Sequence, residues 1–372
     1  MKKYILVFLA AALLLGSLSC LPLSAETESD GEFTYVIKDG NAAILQYTGN
    51  RRVVTVPSAL GGAPVTEISG GAFRDALDLT VLHLPEGLST IGNYAFFNCQ
   101  RLISVSLPES LKHIGSNAFG WCIDLESITI PKNVESIGEG AFTACSSLAS
   151  LTVAGGNRFY EVRQNCLIET ESGLLLRGVV TEDIHIPEGV TVIGDGAFSG
   201  CTGLQKITIP KGVTRIGADA FTYCDGLTDV VIPDSVESIG DWAFSGCTEL
   251  RTIYLPASVT TSGNFLFAGS KKLAHIYCEA EELPDGWSYV WLGDCKAAVH
   301  WGYTPSLGDI DGNGVIGATD YLLLKRHVLG SLTLTETQKI AADVNGDNEI
   351  SALDYMLVKR HVLGSFVIGS EE

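Results

Sequence analysis

Two stretches near the C-terminus space oxygen-bearing side chains as a hard cation requires. The first runs through Asp309, Asp311, Asn313, Val315 and Asp320. The second, 34 residues on, runs through Asp343, Asn345, Asp347, Glu349 and Asp354. Acid or amide oxygens fall at the first, third, fifth and twelfth positions of each loop, and the seventh residue lends its backbone carbonyl. Such a set wraps one Ca2+ ion, so the sequence predicts two bound Ca2+. The sixth position must turn sharply: Gly314 does so in the first loop, and Asn348, which tolerates a left-handed backbone, in the second. Without metal the gathered carboxylates repel one another, so folding here is expected to depend on calcium.

Each loop runs into a near-identical segment, Tyr321 to Gly330 and Tyr355 to Gly364. Both read as helices stopped by glycine, with Lys325-Arg326-His327 and Lys359-Arg360-His361 in the last turn, where cations suit the helix dipole. This duplicated loop-helix, about residues 309–366, resembles a type I dockerin. The terminal Asp, where an ordinary EF-hand carries Glu, and the lack of an entering helix before each loop both match that family. The resemblance implies calcium-dependent docking to a cohesin module of a scaffoldin, through residues late in each loop and on the following helix. Those positions are Ala318, Thr319, Lys325 and Arg326, with Ala352, Leu353, Lys359 and Arg360 in the second copy. Many members carry Ser-Thr at the late loop pair, so Ala318-Thr319 and Ala352-Leu353 imply a different class of cohesin. The internal symmetry implies two docking orientations related by a half-turn.

The chain that precedes this module is built on a beat of 23 residues. Ile91-Gly92-Asn93-Tyr94-Ala95-Phe96 recurs at Ile114 to Phe119, Ile137 to Phe142, Ile193 to Phe198, Ile216 to Phe221 and Ile239 to Phe244, with weaker copies at Ile68 and Ser262. Prolines keep the same step, from Pro85 through Pro108 and Pro131 and again from Pro187 to Pro256. Segments such as Leu125 to Ile130 alternate apolar and polar residues, a strand signal. One unit cannot bury its own apolar side chains, but stacked units can, which makes a solenoid. The recurring Phe is expected to fill the interior, and the Gly after each Ile to mark a tight backbone position. These residues in register resemble leucine-rich repeats of the BspA-like type. The resemblance implies a β-rich leucine-rich-repeat solenoid of about eight units, with one strand per repeat on a concave face.

The expected organisation is a signal peptide over 1–25, an N-terminal β cap over 26–65, repeats over 66–278 with a hairpin insertion at 157–180, a C-terminal cap over 279–303, a linker over 304–308, the small all-α dockerin over 309–366 and a tail over 367–372. Cys99, Cys122, Cys145, Cys201, Cys224 and Cys247 each follow the repeat Phe by three residues and read as small buried side chains in two ladders. No CxxC or histidine spacing suits metal. Of Cys166, Cys278 and Cys295, the only suggested disulfide is Cys278 with Cys295. Outward-facing strand positions are mostly small and uncharged, except at the C-terminal end, where Tyr254, His275 and Tyr277 lie near Trp287, Tyr289, Trp291, Trp301 and Tyr303. These rings either plug the open end of the stack or offer a ligand surface for a polysaccharide or protein.

Lys2 and Lys3, the apolar run from Tyr4 to Leu15 and the small residues up to Ala25 form a leader pattern, so the protein is expected outside the cell, free, cell-surface associated or in a cellulosome. No second apolar run is long enough to span a membrane. A net charge of −19 argues against nucleic acid as a partner. There is no G-x-S-x-G elbow, no H-E-x-x-H and no P-loop. The reading is a secreted, non-catalytic cellulosome subunit with a protein-binding or adhesive solenoid. The alternatives are a polysaccharide-binding module using the aromatic end, or an unrecognised glycoside hydrolase in polysaccharide degradation.

Overall fold

The computed structural model describes residues 27–179, 183–303, 306–311, 315–334, 336–347, 349–365 and 367–368. The expected leader, Asn313, Gly314 and Asn348 lie outside the described residues.

The period of 23 becomes parallel pairing of equivalent residues. Ser127–Ile130 pairs in parallel with Ser150–Val153, residue for residue, and Lys206–Thr208 pairs likewise with Asp229–Val231. Within Ser127–Ile130 the isoleucines point into the core and Ser127 and Thr129 face out. Beside this expected strand, each unit carries a second one of two residues, ending on the repeat Ile: Thr90–Ile91, His113–Ile114 and Ser136–Ile137 stack in parallel in another sheet. The two strands of a unit thus lie in different sheets, with the apolar residues of both meeting inside.

The turns explain the fixed glycine. A Cβ at Gly92 would sit 2.6 Å from the Gly70 nitrogen, and those at Gly115 and Gly138 would likewise strike the backbone of the preceding turn. Glycine is needed here because successive turns approach closely, not for a left-handed backbone. Inside, the phenylalanines form two columns. Phe73, Phe96, Phe119 and Phe142 stack with centroids 5.1, 5.2 and 5.8 Å apart, and Phe198, Phe221, Phe244 and Phe267 at 5.3, 5.1 and 6.0 Å. All eight are buried. Full burial of one such side chain contributes about 1.5–3 kcal/mol.

The cysteines form ladders, and each thiol has a partner. The Sγ atoms of Cys99, Cys122, Cys145, Cys224 and Cys247 donate to the carbonyls of Phe73, Phe96, Phe119, Phe198 and Phe221 at 3.1–3.3 Å. In the last unit the Ser270 hydroxyl takes this role, 2.8 Å from the Phe244 carbonyl. Cys278 and Cys295 are both free thiols, so the suggested disulfide is absent. Cys278 is locked into the core while Cys295 sits half-exposed outside it.

The columns break between Ile137 and Ile193. An antiparallel meander of Tyr160–Arg163, Cys166–Glu169 and Leu174–Gly178 fills the gap. The Ile137 N–H donates to the Tyr160 hydroxyl (2.8 Å), and Arg177 bridges the two halves. This arginine is 1% exposed; it donates to the Ser199 carbonyl (2.9 Å) and the Gly196 carbonyl (3.4 Å) on one side and to the Cys145 carbonyl (2.9 Å) on the other. At the N-terminal end, the hairpin Phe33–Lys38 and Asn41–Tyr47 closes the stack, with Tyr47 stacked on Phe73 at 4.9 Å. At the other end Trp291 meets Phe267 edge-on at 6.0 Å, and Trp287 donates its indole N–H to the Val259 carbonyl (2.9 Å). Both tryptophans are buried, so they plug the stack.

After the solenoid come α1 (Ala318–Val328), α2 (Glu336–Ala342) and α3 (Ala352–Val362). Helices α1 and α3 are the two expected ones, and Gly330 and Gly364 follow them in left-handed conformation. Helix α2 was not evident from the sequence. Ile310, Leu324, Leu334, Ala341, Ala342 and Val358 form the small core.

Candidate calcium loops and the helical face beside them

In the first loop Asp309, Asp311 and Asp320 bring one carboxylate oxygen each within 4.8 Å of one another. Asp309 is 6% exposed and Asp320 fully buried. Asp320 is the third residue of α1, and its position follows from capping: Oδ2 accepts the Gly317 N–H (2.8 Å) and Oδ1 accepts the Asp311 N–H (2.8 Å) across the loop. Val315, at the seventh position, is exposed.

The second loop repeats this arrangement. The buried Asp354 accepts the Ser351 N–H on Oδ2 (2.9 Å), and Oδ1 accepts those of Val344 (3.0 Å) and Asn345 (3.3 Å). The Asp347 N–H donates to both Asp343 Oδ1 and Asn345 Oδ1 (each 3.1 Å), and the Glu349 N–H donates to Asp347 Oδ1 (2.8 Å). The loop is thus curled, with its oxygens drawn toward its own amides. In the first loop three carboxylates packed this closely, two of them buried, suit a divalent cation. Ca2+ is an ion that the set in the first loop fits.

The residues expected at a docking surface share one stripe per helix. On α1 and its end, Ala318, Thr319, Lys325 and Arg326 are exposed, with Leu322 (52%) and Leu329 (70%) between and beyond them. On α3, Ala352, Leu353, Lys359 and Arg360 are exposed, with Met356 (54%) and Leu363 (70%). Steps of three and four residues bring them onto one face, opposite the buried Leu324 and Val358. Leu322, Leu329, Met356 and Leu363 are not among the expected contact residues. The signal was present: four apolar residues at equivalent places in both copies, out of phase with the core positions.

On the solenoid, Ser104, Ser106, Ser127, Thr129, Ser150, Thr152, Lys206 and Thr208 face outward from the long strands. At the C-terminal end the expected trio divides. His275 is exposed and Tyr277 half-buried, but Tyr254 is buried at 3%. Residues just past two neighbouring strands account for this: Tyr303, after Ala298–His300, meets the Tyr254 ring edge-on at 6.2 Å, and Glu279, after His275–Cys278, accepts a hydrogen bond from its hydroxyl. Burial and the Glu279 carboxylate push the Tyr254 phenol far above its ordinary range. Tyr254 therefore offers no ligand surface.

The model of the BspA type leucine rich repeat region matches residues 66–172 and 178–283 in six copies. The chain belongs to this family. The BspA-type repeats are followed by a match to the dockerin type I domain over residues 307–363. Among solved structures, this BspA-type chain is similar to a leucine-rich repeat protein from Eubacterium ventriosum ATCC 27560, at 22% identity over 75% of this chain and 85% of that one, with a TM-score of 0.58. It is also similar to the pneumococcal vaccine antigen PcpA, at 19% identity over 75% and 88% of the two chains, with a TM-score of 0.52. Both likenesses concern the fold. No curated protein matches the chain. A type I dockerin implies a cohesin partner and a cellulosome-type role, and a leucine-rich-repeat solenoid suits a protein-binding surface. Both domain types are generally non-catalytic, and type I dockerins generally bind calcium. No described helix is long and apolar enough to cross a membrane.

Proposed function

We propose that the protein is a secreted, non-catalytic subunit of a cellulosome-type complex. Its dockerin holds two Ca2+ ions, through Asp309, Asp311, Asn313, Val315 and Asp320 and through Asp343, Asn345, Asp347, Glu349 and Asp354. It attaches to a cohesin through the α1 and α3 stripes, and the solenoid presents a recognition face to another protein. The observation that carries this reading is the duplicated exposed stripe, with leucine or methionine between Ala318-Thr319 or Ala352-Leu353 and a Lys-Arg pair on each helix. A monomeric helical module leaves such apolar residues in water only at a cost, unless a partner covers them.

The role of metal is to fix the loops so that both helices present their stripes together. The protein's own part is to draw Asp320 and Asp354 inward by capping and to hold the loop carboxylates where an oxygen-seeking cation neutralises them. The test is cohesin capture by the full chain, with and without EDTA, and by the Asp309→Ala, Asp343→Ala double variant. Binding that persists without calcium or in the double variant would overturn the calcium-dependent mechanism. Absence of binding to any cohesin of the same organism would overturn the attachment itself.

A further inference from the structure

The C-terminal end of the solenoid carries a pair of imidazoles in direct contact. His275 Nδ1 lies 3.0 Å from His300 Nε2. The two residues sit on adjacent parallel strands, His275 opposite Ala298 and Tyr277 opposite His300, so the imidazoles meet diagonally over the small Ala298. His275 is exposed and His300 half-buried. Tyr277 fixes their orientation: its ring stacks on His300 at 4.7 Å and 19° and lies 6.0 Å from His275 at 21°.

We propose that His275 and His300 form a binding site for a late first-row divalent cation of the Zn2+, Ni2+ or Cu2+ class. Two ligands about 2.0–2.1 Å from one metal, at tetrahedral or right-angle separation, stand roughly 2.9–3.4 Å apart. The observed separation falls within that interval, and a swing of the exposed His275 ring turns both lone pairs from each other toward a shared metal. In the metal-free state one of the two nitrogens carries the proton of the hydrogen bond between them. On binding, that proton moves to the other nitrogen of its own ring, so both rings stay neutral and both facing lone pairs reach the metal. Water completes the coordination. Imidazole nitrogen prefers these ions to Ca2+, which takes oxygen, so this site and the dockerin loops sort two kinds of cation. The chain's net charge of −19 further favours a bound cation.

The experiment uses the full chain saturated with Ca2+, in a Cys295→Ser background so that the half-exposed thiol does not compete. Ni2+ is titrated by calorimetry into this protein and into its His275→Ala, His300→Ala and His113→Ala derivatives. One Ni2+ per chain is expected, with affinity falling at least about tenfold in either of the first two variants and unchanged in the third. The Cu2+ complex should show hyperfine coupling to two imidazole nitrogens. Absence of Ni2+ binding at millimolar concentration, or binding equal in all four proteins, would overturn the proposal. Because calcium is present throughout and no cohesin is used, failure here leaves the attachment reading untouched.

Discussion

Tyr321 and Tyr355 lie face to face in the dockerin, their ring centroids 5.1 Å apart and their hydroxyls 2.7 Å apart. Each is the first residue after a loop-closing aspartate, 34 positions from the other, so the contact sits where the two copies meet. The same relation holds farther along. His327 Nδ1 accepts the Leu334 N–H (3.3 Å) as His361 Nδ1 accepts that of Ile368 (3.0 Å). The two halves therefore present closely matching faces.

From this symmetry, replacing Lys325 and Arg326 by Ala should weaken cohesin binding modestly, because the α3 copy can serve in the rotated orientation. The same holds for Lys359 and Arg360. All four replacements together should cost more than the two pairs added, by about 2 kcal/mol or more. Surface plasmon resonance on the three variants checks this; simple additivity would show that one orientation carries all the binding.

Calcium removal should act on one module only. Chelation is expected to reduce the far-UV helical signal of α1 and α3 while leaving the thermal transition of the solenoid in place. Asp320→Ala and Asp354→Ala should each mimic this for one loop, since each removes a proposed ligand and the capping-box carboxylate at the third helical residue, the latter worth about 1 kcal/mol. Circular dichroism with calcium back-titration separates the two contributions.

Asp219 supplies a pH test. Its backbone is left-handed (φ 54°), and burial pushes its carboxyl up to about 6, opposed by the Thr222 hydroxyl and reinforced by Asp195 and Asp241. A raised carboxyl pKa means the folded state holds the proton more tightly. The stability linked to this group is therefore complete below the ordinary carboxylate range and is lost as pH rises through about 6. Asn keeps an acceptor for the Thr222 hydroxyl and tolerates this backbone. Asp219→Asn should raise the melting temperature by a few degrees at pH 8 and change it little in acid. An equal shift at both pH values would show that the carboxyl is not the cause.

Arg177 joins the two halves of the solenoid through carbonyls on both sides. Arg177→Leu removes the charge but leaves those carbonyls without their donors, at about 1–3 kcal/mol each. Scanning calorimetry should then resolve two transitions where the wild-type solenoid gives one. Phe221→Ala, inside the second half, should lower only one of them, by about 3–5 kcal/mol.

Much of this fold was legible in the sequence because the repeat forces like residues to meet like. The Ile-Gly step, the Phe columns and the cysteine ladders all follow from stacking one unit on the next. The second strand of each unit was hidden because two residues carry no alternation to read. Tyr254 was misplaced because its cover, Tyr303, comes 49 positions later and belongs to no repeat. Asp309, Asp311 and Asp320, which the first loop gathers within 4.8 Å of one another, stand out by spacing alone. The apolar half of the helical stripe does not, because Leu322 and Met356 look like core until Leu324 and Val358 are seen to fill that role. Arg177 gave no signal at all: a buried guanidinium held through its terminal nitrogens by carbonyls has no carboxylate partner to search for.

The thiol ladder has a chemical outcome of its own. A sulfur attacks an oxidant or a disulfide as the thiolate, and burial pushes Cys99 up to about 12 and Cys145 to about 11. The proton that each of these two sulfurs shares with a phenylalanine carbonyl is the one it would have to release in order to react. The native chain can thus carry its interior sulfur through an oxidising medium unaltered, needing neither a reductant nor a pairing scheme, for as long as it stays folded. Unfolding removes that shelter from every rung together, so loss of structure and loss of redox silence become a single event.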